Sequence, residues 1–290
     1  MPVPTVSYRP MREADLLAVH ESNMRAFDDL DRRLGTEYPG PPPNLEASLG
    51  RLRRLLETDP GGAWVAERGG AIAGCALALV REGLWGLSLL FVDPPAQGIG
   101  AGRELLARAW AYGEGARGHV VLSSTDPRAM RAYARLGLDV HPCLGATGTP
   151  SIVGGDGEVR PGGAEDLPLM EAVDRAVRGA AHGADLLTML AAGSTLLVAP
   201  ERGYAVVTGG RVRCCAAFDE EGARAVLRGA LAHVAGAGLD AHVEWLSARQ
   251  GWAIEVCLDA GLDLRADAGC VFTRGDVGPF SPYLPSGAYL

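Results

Sequence analysis

The sequence predicts an α+β protein made of two tandem copies of one unit, each a mixed sheet flanked by helices. Three observations point there: an internal repeat, a meander of strands ahead of a central helix in each copy, and an element order that suits a mixed sheet better than a fully parallel one. The repeat has two parts. Arg9-Pro10, four residues, then Asp15-Leu16 recurs as Arg160-Pro161, four residues, then Asp166-Leu167. Further along, Ala129, Tyr133 and Gly137-Leu138-Asp139 recur at the same spacing as Ala253, Cys257 and Gly261-Leu262-Asp263. Either match alone could arise by chance; both in order indicate a duplication.

The elements of the first copy follow from pattern. A strand is expected near 5–9, then a helix near 13–34 that opens on acidic residues and continues with apolar spacing. A second helix is expected near 44–58, with strands near 62–67, 71–80 and 85–93. The run Trp85 to Val92 is apolar and stops at Asp93-Pro94-Pro95, which marks a buried strand ending there. A helix near 99–114 places Leu105, Leu106, Ala109 and Trp110 on one face. A strand near 119–124 precedes a helix near 126–137, with Asp126 as N-cap and Pro127 in the first turn. A last strand covers about 138–144. The second copy repeats this order, with helices near 165–178, 183–192, 220–236 and 248–260. Between the copies, Gly145-Ala146-Thr147-Gly148-Thr149-Pro150 and Gly154-Gly155-Asp156-Gly157 read as a linker. The expected division is 1–145, a linker at 146–157, and 158–290.

Composition removes several functions. All 27 basic side chains are arginine, so chemistry that needs a lysine of this chain is excluded. The net charge is −8, and the excess is uneven: 16 Arg against 17 acids in residues 1–150, 11 Arg against 18 acids in 151–290. An acidic second half argues against a nucleic-acid partner. The start, Met1-Pro2-Val3-Pro4-Thr5, has no secretory pattern, and no apolar run approaches the roughly 20 residues of a membrane span, so no membrane partner is expected and the cytoplasm is the expected location. The six cysteines, at 75, 143, 214, 215, 257 and 270, have no C-x-x-C spacing and read as reduced core residues, with no metal.

After the strand 85–93 comes Gln97-Gly98-Ile99-Gly100-Ala101-Gly102, then a helix. A strand, a glycine loop and a helix start bring bare N–H groups and the positive end of a helix dipole onto an anion. Side chains at the glycines would block that approach. A P-loop requires lysine and is out; a dinucleotide fingerprint would need glycine where Arg103 stands. The pyrophosphate loop of coenzyme A transferases, Q/R-x-x-G-x-G/A, is matched in full by Gln97, Gly100 and Gly102. A tight strand–helix turn that merely needs glycine is the alternative.

With Asp126-Pro127-Arg128-Ala129, Tyr133 and Gly137-Leu138 about 30 residues on, the chain resembles the GNAT superfamily of acyl-CoA N-acyltransferases. That family's late helix reads N-x-x-A-x-x-x-Y-x-x-x-G-F; here Asp replaces Asn and Leu replaces Phe. Val92-x-Pro94 and the opening Arg-Pro-x-x-x-x-Asp-Leu add to the resemblance, which covers residues 5–144 and, more weakly, 158–274. It implies two GNAT-like domains with mostly antiparallel sheets, and acetyl-CoA as cosubstrate. Leu90, Phe91 and Val92 would meet the pantetheine arm, and the amides of Gly98, Ile99, Gly100, Ala101 and Gly102 the diphosphate. Arg103, Arg128 and Arg131, beside Asp126 and Ala129, would serve the adenosine phosphate region. The Val92 N–H is the implied oxyanion donor and Tyr133 the implied general acid.

The general base is not legible, since Gly86 and Ser88 stand on the strand where many relatives carry Glu or His. A bound water, the acids Asp28, Asp29, Asp31 and Glu37, and a carboxylate at Leu290 are the candidates. The acidic patch favours a cationic acceptor, and the segment from Pro279 to Leu290 is apolar enough to pack on a surface. In the second copy, Phe218-Asp219-Glu220-Glu221-Gly222-Ala223 falls over 97–102, and Cys257 replaces the tyrosine. Each carboxylate would repel a diphosphate by about 1 kcal/mol at 4 Å even in water. That copy is expected to hold no acyl-CoA. The expected activity is transfer of an acetyl or short acyl group to a primary amine on a small molecule. A non-catalytic CoA-binding or regulatory module, and a protein N-acetyltransferase, are the alternatives.

Overall fold

The computed structural model describes residues 5–36, 44–151 and 159–290. The first copy runs β1 (Val6–Pro10), α1 (Leu16–Leu34), α2 (Leu45–Thr58), β2 (Ala63–Arg68), β3 (Ala71–Arg81), β4 (Leu84–Val92), α3 (Ala101–Tyr112), β5 (Gly118–Ser123), α4 (Pro127–Arg135), β6 (Asp139–Pro142) and β7 (Leu144–Gly148). The second runs β8 (Arg160–Pro161), α5 (Leu167–Val177), α6 (Gly183–Ala191), β9 (Thr195–Ala199), β10 (Gly203–Thr208), β11 (Arg211–Ala217), α7 (Glu220–Gly236), β12 (Ala241–Leu246), α8 (Gly251–Asp259), β13 (Asp263–Arg265) and β14 (Cys270–Gly275), followed by a short β15 (Tyr283–Leu284). The same element order is written twice. The architecture is the expected α+β, with mixed, mostly antiparallel sheets flanked by helices.

The sequence repeat is a repeated physical device. In the first copy the Arg9 guanidinium grips the Asp15 carboxylate at 2.7 and 2.8 Å, and the Arg12 N–H donates to Asp15 at 2.7 Å. In the second, Arg160 grips Asp166 at 3.0 and 2.6 Å, and the Gly163 N–H donates to Asp166 at 3.0 Å. Each pair ties the end of a first strand to the turn that opens a helix. The later match is equally literal: Gly137 and Gly261 both end their helices at φ 77°, a left-handed conformation that favours glycine.

Two compact units divide the chain, residues 1–80 with 85–116, and residues 81–84 with 117–290. In the first unit the strand order is β1-β2-β3-β4, with β1–β2 and β2–β3 antiparallel. One face of β4 packs on α3: the Trp85 indole donates to the Ala109 carbonyl at 3.0 Å, and its ring meets Trp110 edge-on at 5.2 Å. Arg108 of α3 lies over the rings of Tyr8 and Trp64, at 5.3 and 4.8 Å, which fixes the helix against β1 and β2.

In the second unit one strand set is ordered β5-β14-β6 and another β13-β7-β12-β11-β10-β9-β8. Here the copies trade strands. β14, from the second copy, lies antiparallel between β5 and β6 of the first. β7, from the first, lies antiparallel between β12 and β13 of the second. The expected linear division at 145 and 158 therefore does not follow the strand pairing, and residues 146–148, expected as linker, are strand. The cause is local. Only Cys143 separates β6 from β7, and a hairpin needs at least about two turn residues. The chain cannot fold back beside β6, so it runs on into the neighbouring sheet. Gly154 to Gly157 lie outside the described residues. The core of the second sheet gathers α7, α8 and the inner faces of β9 to β12, with Ala146 of β7 and Leu284 of β15 buried among them. All six cysteines are buried and free, as expected.

Candidate active site

The residues singled out in the sequence fall in two groups, one in each unit. In the first unit, β4 ends at Val92, Asp93 follows, and a short turn through Pro94–Ala96 leads to the loop and α3. Phe91 is buried, while Leu90 and Val92 are half-buried. Gln97 turns inward: its side-chain amide donates to the Val92 carbonyl at 3.2 Å and to Asp29 at 3.5 Å. The glutamine thus ties the loop to the strand, a role its motif position alone did not reveal. Arg25 of α1 holds Asp93 at 3.1 and 3.2 Å.

The loop is open where an anion would need it open. Gly98 and Gly100 have φ of 82° and 89°, and a Cβ built on either meets no atom within 4 Å. Gly98, Ile99 and Gly100 are exposed. Gly100 is the N-cap of α3, and no side chain caps that helix start. The first N–H groups of a helix have no intrahelical acceptor, and they lie at the positive end of the dipole. An unhindered helix start of this kind can take an anionic group. Arg103 lies exposed in the first turn.

In the second unit, Asp126 caps α4 by accepting from the Arg128 N–H at 2.9 Å. The Arg128 side chain folds back on the same carboxylate, its terminal nitrogen at 2.9 Å. Ala129 is half-buried and Arg131 exposed. Tyr133 is buried, edge-on to Phe272 of β14 at 5.5 Å. Burial pushes its phenol well above the ordinary range, with the Asp126 charge adding to the shift. The group therefore stays protonated at neutral pH.

The acidic patch on α1 is spent locally. Asp29 takes Arg33 at 2.9 Å and Arg32 at 3.8 Å, and the Arg33 hydrogen bond first of all holds its carboxyl below the usual range. Asp31 accepts from Thr36 at 3.1 Å. Glu37 lies outside the described residues. Of these acids, Asp29 is the one whose charge is shown met by arginines. Sequence reasoning passed over Arg51. From α2 its guanidinium donates to the Ser88 carbonyl at 2.5 Å and to the Ser88 hydroxyl at 2.7 Å, so a cation stands at mid-β4 where a base was sought. Nothing in the sequence marks Arg51 out from Arg53 and Arg54 beside it. Leu290, offered above as a carboxylate base, is buried in the second unit, its main-chain oxygen accepting from Arg178 and from the Tyr283 hydroxyl, each at 2.7 Å.

The second copy's counterpart helix start is capped. Asp219 caps α7 by accepting from the Gly222 N–H at 2.7 Å, and Arg202 bridges Asp219 and Glu221 at 3.0 Å each. Cys257, in the tyrosine's place, is buried. Among the described residues, no helix is long and apolar enough to cross a membrane, and no group of three or more His, Cys, Asp or Glu could hold a metal ion.

Comparison with known proteins agrees with the sequence resemblance. Residues 19–138 match the family described as acetyltransferase (GNAT). A search of curated proteins gives no match. The fold is shared along almost the whole chain with a Pyrococcus horikoshii protein named provisionally as an acetyltransferase: TM-score 0.77, 16% identity, 98% of this chain and 96% of that one covered. A GCN5-related N-acetyltransferase from Sphaerobacter thermophilus follows at TM-score 0.60, 16% identity, and 93% and 95% coverage. A tandem GNAT protein from the clavulanic acid biosynthesis pathway follows at TM-score 0.53, 16% identity, and 93% and 98% coverage.

Proposed function

We propose, from the match of residues 19–138 to the acetyltransferase (GNAT) family, that the chain transfers an acetyl or other short acyl group from acyl-CoA to a primary amine on a small molecule. The observation that carries the reading is the uncapped start of α3 at Gly100, exposed and unhindered, inside the matched segment. On this reading the amides of Gly98, Ile99, Gly100, Ala101 and Gly102 bind the diphosphate, with Gln97 holding the loop to β4. Leu90, Phe91 and Val92 line the pantetheine arm. Arg103, with Asp126, Arg128 and Ala129 of α4, serves the adenosine phosphate region.

Bound acyl-CoA would supply the activated thioester. The chain's part is to place a neutral amine, stabilise the oxyanion and deliver a proton. As the C–N bond forms and the C–S bond breaks, the amine gives its proton to a base and the departing sulfur takes one. The Val92 N–H is the oxyanion donor. Tyr133 gives the proton to sulfur; its phenol is protonated at neutral pH, as a donor must be. With Asp29 engaged by arginines, a bound water is the base of choice. The second copy binds no acyl-CoA.

A competing reading, a CoA-binding module without turnover, draws on one observation: Ser88 and the guanidinium of Arg51 occupy mid-β4 where a base would stand. Thiol release from acetyl-CoA with and without a panel of amines separates the two. Amine-dependent release is expected, and Tyr133→Phe should lower it by about 10²- to 10⁴-fold while leaving acetyl-CoA affinity unchanged. Tight acetyl-CoA binding with no release stimulated by any amine would favour the module.

A further inference from the structure

β11 and β12 are parallel neighbours that meet at one register point, Arg211 with His242. Past that point β12 takes β7 as its antiparallel partner on one side, and the edge of β11 facing β12 needs another partner for its N–H and C=O groups. At Cys215 and Ala216 the edge of β11 away from β12 is taken, since β10 pairs them with Ala205 and Tyr204. β15 nevertheless pairs with β11, Leu284 with Cys215 and Tyr283 with Ala216. The remaining edge is the one inside the opening between β11 and β12, so β15 lies in that wedge.

The rest of the segment is held from both sides. On the α8 side, the buried Gln250 amide donates to the carbonyls of Phe280 and Tyr283, at 2.9 and 3.2 Å, while its own oxygen accepts from the Ser247 N–H at 3.1 Å. The Ser281 hydroxyl donates to the Arg249 carbonyl at 3.1 Å. On the α5 side, the Phe280 N–H donates to the Val177 carbonyl at 2.7 Å, and buried Arg178 and Tyr283 both donate to Leu290. Phe280, Tyr283 and Leu284 are buried, and the two aromatic rings meet edge-on at 5.1 Å. Backbone pairing with alternate side chains in pockets is how sheets bind extended peptides.

We propose that the wedge between β11 and β12 is a strand-accepting site whose ligand is this chain's own segment Pro279–Leu290, bound in cis and closing the second sheet to any other molecule. It deepens the reading that the second copy holds no acyl-CoA by naming what stands in the wedge instead. Tethering gives the segment a high effective concentration, so a free peptide does not displace it.

Hydrogen exchange tests this. Deletion of residues 279–290 should speed exchange at amides 213–217 by about a hundredfold or more, and the synthetic peptide Pro279–Leu290 added in trans should restore the slow rate. A folded deletion variant with unchanged exchange, or one that the peptide does not protect, overturns the proposal. If the deletion prevents folding, Gln250→Ala in the full chain serves. Exchange at 213–217 should rise about tenfold while that of β9 is unchanged; an unaltered rate at 213–217 overturns the proposal. Acetyl-CoA added to the same samples should slow exchange at residues 98–102. That readout concerns the enzyme reading alone, so either idea can fail without the other.

Discussion

α3 and α7 hold the same place in the repeat and begin in opposite ways. α3 starts at an exposed left-handed glycine with no side-chain cap, while α7 starts under its own carboxylate, Asp219, with Glu221 and Arg202 gathered at the same turn. A helix start must find acceptors for its first N–H groups. In the second copy Asp219 supplies one in cis; in the first no side chain does, which on the proposed reading leaves the place to an incoming anion. The Arg–Asp clasp at each copy's opening is kept, and the helix start diverges.

Four substitutions bear on that contrast. Gly100→Glu places a side chain and a negative charge in the cradle, and calorimetry should find acetyl-CoA binding weakened by about a hundredfold or more, since about 2.7 kcal/mol is two decades. The left-handed backbone adds a fold cost of about 1–2 kcal/mol, so the variant should still melt cooperatively; a folded protein with unchanged affinity would end the loop assignment. Next in size, Asp15→Asn and Asp166→Asn should each cost about 1.5–3 kcal/mol in urea unfolding at neutral pH. Both carboxyls sit below the ordinary range, held first by their arginine hydrogen bonds. A depressed carboxyl stabilises fully above its unfolded pKa of about 3.9, and that share is lost as pH falls through the lower folded value. Each variant should therefore lose part of the acid-side decline in stability below about pH 4. Unequal losses would mean that the clasp has drifted in one copy. Smallest, Asp219→Ala should cost about 1 kcal/mol as a lost cap and leave acetyl-CoA affinity unmoved. A change in affinity there would tie the second copy to binding after all.

The sequence made the repeat, the element order and the open loop legible, because each rests on short-range chemistry: an Arg–Asp clasp six residues long, a glycine where φ is positive, an N-cap. Strand exchange was hidden, since β7 and β14 are written in order and only the missing turn at Cys143 betrays that the chain does not reverse. Gly145, Ala146 and Gly148 looked like linker because small residues suit both a connection and a strand packed closely between two others. Arg51 was unreadable among neighbouring arginines, and the inward turn of Gln97 depends on where β4 ends in space. The wedge was invisible for a related reason: Tyr283 and Leu284 announce an apolar segment, but only the divergence of β11 from β12 gives it a place to go.

The loan of β14 to β5 and β6, and of β7 to β12 and β13, makes inheritance joint. Neither half is a separable module: residues 1–143 alone lack the strand that spans β5 and β6, and residues 159–290 alone lack the one that spans β12 and β13. A mutation in either borrowed strand is felt in the sheet encoded by the other half. The second copy thus supplies a strand to the first whatever its own helix start binds.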